Sequence, residues 1–393
     1  MTVPKDSPIW FGIGCYSFEA PGEDLLLMQN RKGSYNVYRW AEDVEAALKM
    51  LPSLDNITLE GFRYVRGDHK PTWCDNFALM MREDSTDGGR HEGGDLKPHP
   101  SSGRIRFTVT IPQHVQQSVL PLAESYKGTV FEVDIWYGDG MPVAFVRSVE
   151  RTDDPAIGVA IVREFLRSEF EQRVNANSPI RFVFMGPSPM WTQCAVGPPK
   201  EGAEQPLEVT RHDAVRYEFA AFTLQKTVEI ATTADAYEAV KRTLEEPVGR
   251  YYDLVSQTTL LRSHRRFIEF ALEDLVEAHR SRSFRAWSKR LFRGGTDVND
   301  LMLEVLAADV ERQRVEAFAA DRWAGSEDAA SAFGDLWERE GSNQNYTDHV
   351  KSVAEMLGAR QSRSIELMTV LGASLLGGVA GAALTALVQA AQG

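Results

Sequence analysis

Two carboxylates stand two residues apart in the stretch TVFEVDIWY, Glu132 and Asp134. In an extended strand that spacing turns both toward one face. The pair could share a cation there, or could be solvated or paired across strands with residues such as Arg106. Ser188, in FMGPSPMW, follows a strand-like run as a hydrolase nucleophile would. Pro187 and Pro189 flank it, and Met190 stands where the second glycine of a G-x-S-x-G turn belongs. His91, Glu92 and His99 share no metal-ligand spacing, and Arg66-Gly67-Asp68 is a chance triplet. No strong catalytic motif results. No cofactor is predicted, and a divalent cation at Glu132 and Asp134 is the one candidate left open, with an enzyme of unrecognised metal-dependent site as the reading that would use it.

The elements that position these residues alternate between strand and helix up to residue 229. RIRFTVTI places Ile105, Phe107, Val109 and Ile111 on one face and Arg104, Arg106, Thr108 and Thr110 on the other, the period of a half-buried strand. TVFEVDIWY and PVAFVRSV flank the Gly138–Gly140 turn, a hairpin signal. Asp154-Pro155 predicts a helix start, with Asp as N-cap and Pro in the first turn, running through IVREFLRSEFEQR. Further strands are expected at IWFGIGCYSF, NITLEGFRYV, IRFVFM and VRYEFAAF, and a helix at WAEDVEAALKML. The expected fold class is α+β, with an N-terminal mixed-sheet domain over residues 1–229 that senses or binds a ligand or protein. Residues 83–103 are polar and Gly-rich, a loop composition.

From about residue 230 helical periodicity replaces strand alternation, predicting a helical domain or stalk over 230–346. Leu261, Arg265, Ile268, Leu272 and Leu275 recur at spacings of four and three, a seam of coiled-coil type. A second helix places Leu303, Leu306, Val310 and Ala317 along one stripe. Between them RSRSFRAWSKRLFR carries six basic residues and no acidic one. They are Arg280, Arg282, Arg285, Lys289, Arg290 and Arg293, with Phe284 and Trp287 among them. A basic helix bearing aromatic rings suits an anionic membrane surface. It equally suits a surface helix whose rings pack on the domain.

The last segment, 347–393, opens with a cap at Thr347 or Asp348 and an apolar stripe of Val350, Val353 and Leu357. It then loses all charge: the 22 residues from Leu367 to Val388 carry none. As a helix that run spans about 33 Å at ~1.5 Å per residue, against a hydrocarbon core of ~30 Å. Gly372, Ala373, Gly377, Gly378, Gly381 and Thr385 supply small side chains, with Gly377 and Gly381 in G-x-x-x-G spacing. In lipid such a face lets helices approach closely; in a soluble helix each glycine costs ~1 kcal/mol relative to alanine. Arg360 and Arg363 precede the run and place its N-terminal side in the cytosol. A buried hairpin broken at Gly377-Gly378, or an apolar oligomerisation helix, would use the same residues.

Composition agrees with a cytosolic body. The formal net charge of -13 argues against a general nucleic-acid coat. Cys15, Cys74 and Cys194 are scattered and odd in number, which reads as free thiols in a reducing compartment. The N-terminal MTVPKDSPIW has no secretory apolar run. A cytosolic α/β domain, long helices and then ARQSRSIELMTVLGASLLGG resemble CorA-type magnesium transporters in element order and juxtamembrane segment. In that family the first transmembrane helix likewise continues from a long cytosolic helix. Its Gly-Met-Asn signature and second transmembrane helix are missing here. Gly140-Met141 is followed by Pro142, so no pore residue carries over.

The sequence therefore predicts a single-pass, tail-anchored homo-oligomer with a cytoplasmic N-terminal domain. Its partners would be itself, an anionic membrane and a ligand or protein at the N-terminal domain. Its C-terminal helices would form or perturb a pore. A membrane-tethered binding scaffold with no pore is the alternative.

Overall fold

The computed structural model describes residues 7–19, 37–62, 77–78, 99–100, 102–121, 126–138, 141–150, 154–185, 193–202, 206–213, 218–280, 299–310 and 312–313. The order begins β1 (Ile9–Glu19), α1 (Val37–Lys49), β2 (Leu54–Glu60), β3 (Phe77–Ala78), β4 (His99–Pro100), β5 (Gly103–Thr110) and α2 (Gln113–Val119). It continues with β6 (Val130–Tyr137), β7 (Val143–Ser148), α3 (Pro155–Glu169) and a π-helical turn, Phe170–Val174. Then come β8 (Arg181–Met185), β9 (Gln193–Val196), β10 (Leu207–Asp213), β11 (Glu218–Leu224) and α4 (Thr233–Arg280). A further helix, α5, covers 299–310.

Nine strands form one sheet in the order β10-β11-β9-β1-β7-β6-β5-β2, with β8 also paired to β1. β11 and β9 run parallel; the other pairings are antiparallel. The sheet is therefore mixed, and the fold is α+β. The expected hairpin is β6–β7, with Ile135 opposite Ala144. Asp154 caps α3, its carboxylate accepting from the Ile157 amide at 3.2 Å ahead of Pro155 in the first turn. Gln116 fastens the entry to β6 by donating to the Ile111 and Gly128 carbonyls at 2.7 and 2.6 Å.

Strand alternation gives the sheet two distinct faces. On one, Ile105, Phe107, Val109, Phe131, Val133, Ile135, Ala144 and Val146 pack with α1 and α3 through Trp40, Val44, Ile161 and Phe165. On the other, Phe11 meets Tyr237 of α4 edge-on at 5.2 Å, and the Met141 amide donates to the Gly249 carbonyl at 3.0 Å. On that second face α4 covers Arg104, whose side chain is 14% exposed, while Arg106 keeps 39%. Of the two readings of Glu132 and Asp134, solvated or paired across strands, the pairing with Arg106 is the one Asp134 adopts.

Contacts divide the chain into two compact units, the first reaching Val255 and the second beginning at Ser256. The first 23 residues of α4 thus belong with the sheet. Within the second unit, Ile268 of α4 packs against Leu301, Val305 and Ala308 of α5, with Leu272 and Met302 alongside. The stripe of α5 that meets α4 is therefore Leu301/Val305/Ala308, while Leu303, Leu306 and Val310 are 64%, 49% and 65% exposed. No helix among the described residues is long and apolar enough to cross a membrane. The uncharged run Leu367–Val388 lies outside them.

Candidate functional site: the charged cluster under helix α4

Glu132 and Asp134 lie on the second face of β6, as their spacing requires. Register places Arg106 of β5 opposite Asp134 and Arg147 of β7 opposite Glu132. Arg104 comes from the same side of β5, two residues before Arg106. Helix α4 lays Tyr237, Lys241 and Glu245 over them at four-residue steps, one face of the helix.

Asp134 is the hub. Lys241 Nζ donates to its Oδ2 at 2.6 Å, Arg106 Nε approaches the same oxygen at 3.3 Å, and Arg104 Nε stands 3.4 Å from Oδ1. Arg104 also binds the Glu245 carboxylate, Lys241 reaches Glu238 at 2.9 Å, and Arg106 lies 3.6 Å from Glu60 of β2. Glu132 has a separate partner: Arg147 Nε donates to it at 2.5 Å. The Arg147 guanidinium and the Lys241 ammonium both face the Tyr237 ring, 5.1 and 4.8 Å from its centroid, a further attraction for cations already removed from water. Asp134, Lys241 and Glu245 keep only 7%, 4% and 8% of their exposure.

Burial sets the direction of titration at Glu245 and Tyr237. It pushes the Glu245 carboxyl above the ordinary glutamate range, with the Arg104 charge working against that rise. On Arg147 burial is the strongest single influence and opposes the charge, but the hydrogen bond and charge of Glu132, with smaller contributions from Tyr237 and Glu238, together outweigh it and hold the guanidinium above its ordinary value. Tyr237 is pushed up by burial and stays a phenol. Every carboxylate of the cluster meets at least one cation, so the arrangement fixes α4 to the sheet. Among the described residues, no group of three or more His, Cys, Asp or Glu side chains is placed to hold a metal ion. A divalent cation between Glu132 and Asp134 would have to displace Arg147 and Lys241.

The sequence marked Glu132 and Asp134 but not their helical partners. The available signal was the interruption of an apolar helical stripe (Val240, Leu244, Val248) by Lys241 and Glu245 at i,i+4. Of the other candidates, Arg280 is the last residue of α4. Arg282, Phe284, Arg285, Trp287, Lys289, Arg290 and Arg293 lie outside the described residues, as do Gly372, Ala373, Gly377, Gly378, Gly381, Thr385 and Ser188. Comparison with known protein families, characterised proteins and solved structures finds no match to this chain.

Proposed function

We propose that this chain is a tail-anchored, self-associating membrane protein whose α+β domain binds a ligand or protein and whose C-terminal helices form or perturb a pore. The observation that carries the reading is the uncharged 22-residue run Leu367–Val388, with Gly377 and Gly381 in G-x-x-x-G spacing behind Arg360 and Arg363. A run of that length suits one crossing, and small residues favour close helix pairing in lipid. The charged cluster supports a non-enzymatic role for the N-terminal unit. Its carboxylates are committed to arginine and lysine, so they hold a helix rather than offer a free acid, base or metal ligand.

The test is fractionation followed by leakage. Full-length protein should sediment with membranes, resist carbonate extraction and release dye from liposomes, while a chain ending at Arg360 should stay in the supernatant and release none. Identical fractionation of the two in the supernatant would refute the anchor. Membrane insertion without leakage would leave a tethered binding scaffold. Gly377→Leu or Gly381→Leu should preserve insertion while lowering oligomer mass and leakage together.

A further inference from the structure

The sheet ends in two unlike edges. At the β2 edge the register shifts between Asp55 and Thr58, and Asn56 stands there at φ 53°, an irregularity that spoils pairing with a further strand. At the β10 edge, the seven residues Leu207–Asp213 run opposite β11 without a bulge and include no proline, glycine or lysine. Among the described residues, no strand pairs with the outer side of β10. The hydrogen bonds of β11 show which groups that side presents. The Leu224 and Phe222 carbonyls accept from the Lys200 and Gly197 amides at 2.9 and 3.0 Å, and so are turned away from β10. Opposed residues of an antiparallel pair face each other or face away together. Leu207 and Val209, opposite Leu224 and Phe222, therefore turn their amides and carbonyls outward, and strand alternation adds those of Arg211 and Asp213.

We infer that the outer edge of β10 is a dimer interface, taken by β10 of a second copy, antiparallel, with the two-fold axis at Thr210. A two-fold axis perpendicular to a sheet keeps every residue on its own face, so it passes at a residue and not between two. At Thr210 all seven residues overlap. Leu207 then meets the partner's Asp213 and Val209 the partner's Arg211, each twice, exchanging about eight hydrogen bonds. Glu208 comes opposite the partner's His212 twice, an acid against a base, and Thr210 comes opposite its own copy, both favourable cross-strand pairings. An axis at Arg211 would set arginine against arginine. An axis at Val209 would keep about six bonds and no acid opposite a base. The interface deepens the self-association proposed above without resting on the uncharged run.

The test places a thiol on the axis. Thr210→Cys, in the full chain with Cys74→Ser, leaves only the buried native thiols Cys15 and Cys194 besides. On the axis the two copies of residue 210 stand about 4.5 Å apart at Cα, within disulfide range. The two copies of residue 208 stand about 14 Å apart. Mild oxidation should therefore yield a disulfide-linked dimer about tenfold faster from Thr210→Cys than from Glu208→Cys, because pairing raises the effective concentration of the thiols. Equal rates would overturn the interface. Val209→Pro removes an outward amide and spares the ladder to β11. Added to Thr210→Cys, it should slow cross-linking about tenfold at an unchanged melting midpoint; undiminished cross-linking would overturn the pairing. If the midpoint falls, the two cysteine variants alone decide. The membrane reading fails separately: Val209→Pro should leave carbonate-resistant sedimentation as it was, and Gly377→Leu should leave the Thr210→Cys cross-link as it was. Loss of that cross-link in Gly377→Leu would assign the dimer to the tail instead.

Discussion

On one face of the sheet Trp40 lies 5.3 Å from Phe62 and 5.6 Å from Tyr137, its indole donating to the Phe18 carbonyl at 3.0 Å. On the opposite face Lys241 and Glu245 reach Asp134 and Arg104. Both faces carry helices, but they are held by different physics. The apolar face gains from area removed from water and loses in proportion to volume left empty. The charged face gains little net energy from its ion pairs, since desolvation offsets attraction, yet loses heavily if one partner is left alone. Close packing fixes a helix through shape; a hub with three cations around one carboxylate adds directional constraints of its own. The first face thus supplies stability, and the second fixes the seat of α4 before it leaves the sheet.

The largest effect should come from the apolar face. Trp40→Ala removes a fully buried indole and should cost about 3–5 kcal/mol, read as a lowered denaturant midpoint. A loss below that of any charged-face variant would invert the comparison.

Next in size is removal of the hub. Asp134→Asn removes the carboxylate that Lys241, Arg104 and Arg106 share, leaving each with its second partner, Glu238, Glu245 or Glu60, and should cost about 2–3 kcal/mol, at or below the low end of the penalty for a buried charge left alone. Lys241→Met leaves Asp134 with two arginines and should cost clearly less. Equal losses would mean that Lys241 and Asp134 form an isolated pair rather than a network.

Gly249→Ala addresses the same seat through shape instead of charge. A Cβ at Gly249 would stand 2.8 Å from the Met141 carbonyl oxygen and 3.3 Å from the Trp136 ring. Backbone cannot yield as a side-chain end can, so α4 would have to lift from the β6–β7 hairpin. The expected cost is about 1–3 kcal/mol, with faster amide exchange confined to 233–255. A stability equal to wild type would show that the helix moves freely over this face.

The apolar face was largely legible in the sequence, because Ile105/Phe107/Val109 and Phe131/Val133/Ile135 alternate cleanly and Asp154-Pro155 announces α3. The charged face was legible in part: cross-strand pairing with Arg106 was one of the two readings of Glu132 and Asp134, and Arg106 does pair with Asp134, but the cover supplied by α4, some 100 residues later, was not. Period alone cannot separate a charge that meets water from one that meets another charge. The short β9, Gln193–Val196, and the polar β10, Leu207–Asp213, also went unread. Four residues give too few alternations, and LEVTRHD ends in charge.

The smallest effect is also the one whose sign discriminates best. Glu245 is raised by burial, with Arg104 opposing. A carboxyl whose folded value exceeds its unfolded one binds protons more tightly in the native state. Its contribution to stability is therefore greatest below the ordinary glutamate value and declines as pH rises through the window up to the folded value. Glu245→Gln removes the titration while keeping the shape. The melting midpoint of wild type relative to this variant should rise as pH falls from about 7 to about 5, the direction expected when desolvation dominates. If Arg104 instead governed, the carboxylate would be held low. Wild type would then lose ground to the variant only under stronger acid, with no gain near pH 5. That outcome would make the Glu245–Arg104 contact a net attraction and bring the charged face closer in kind to the apolar one.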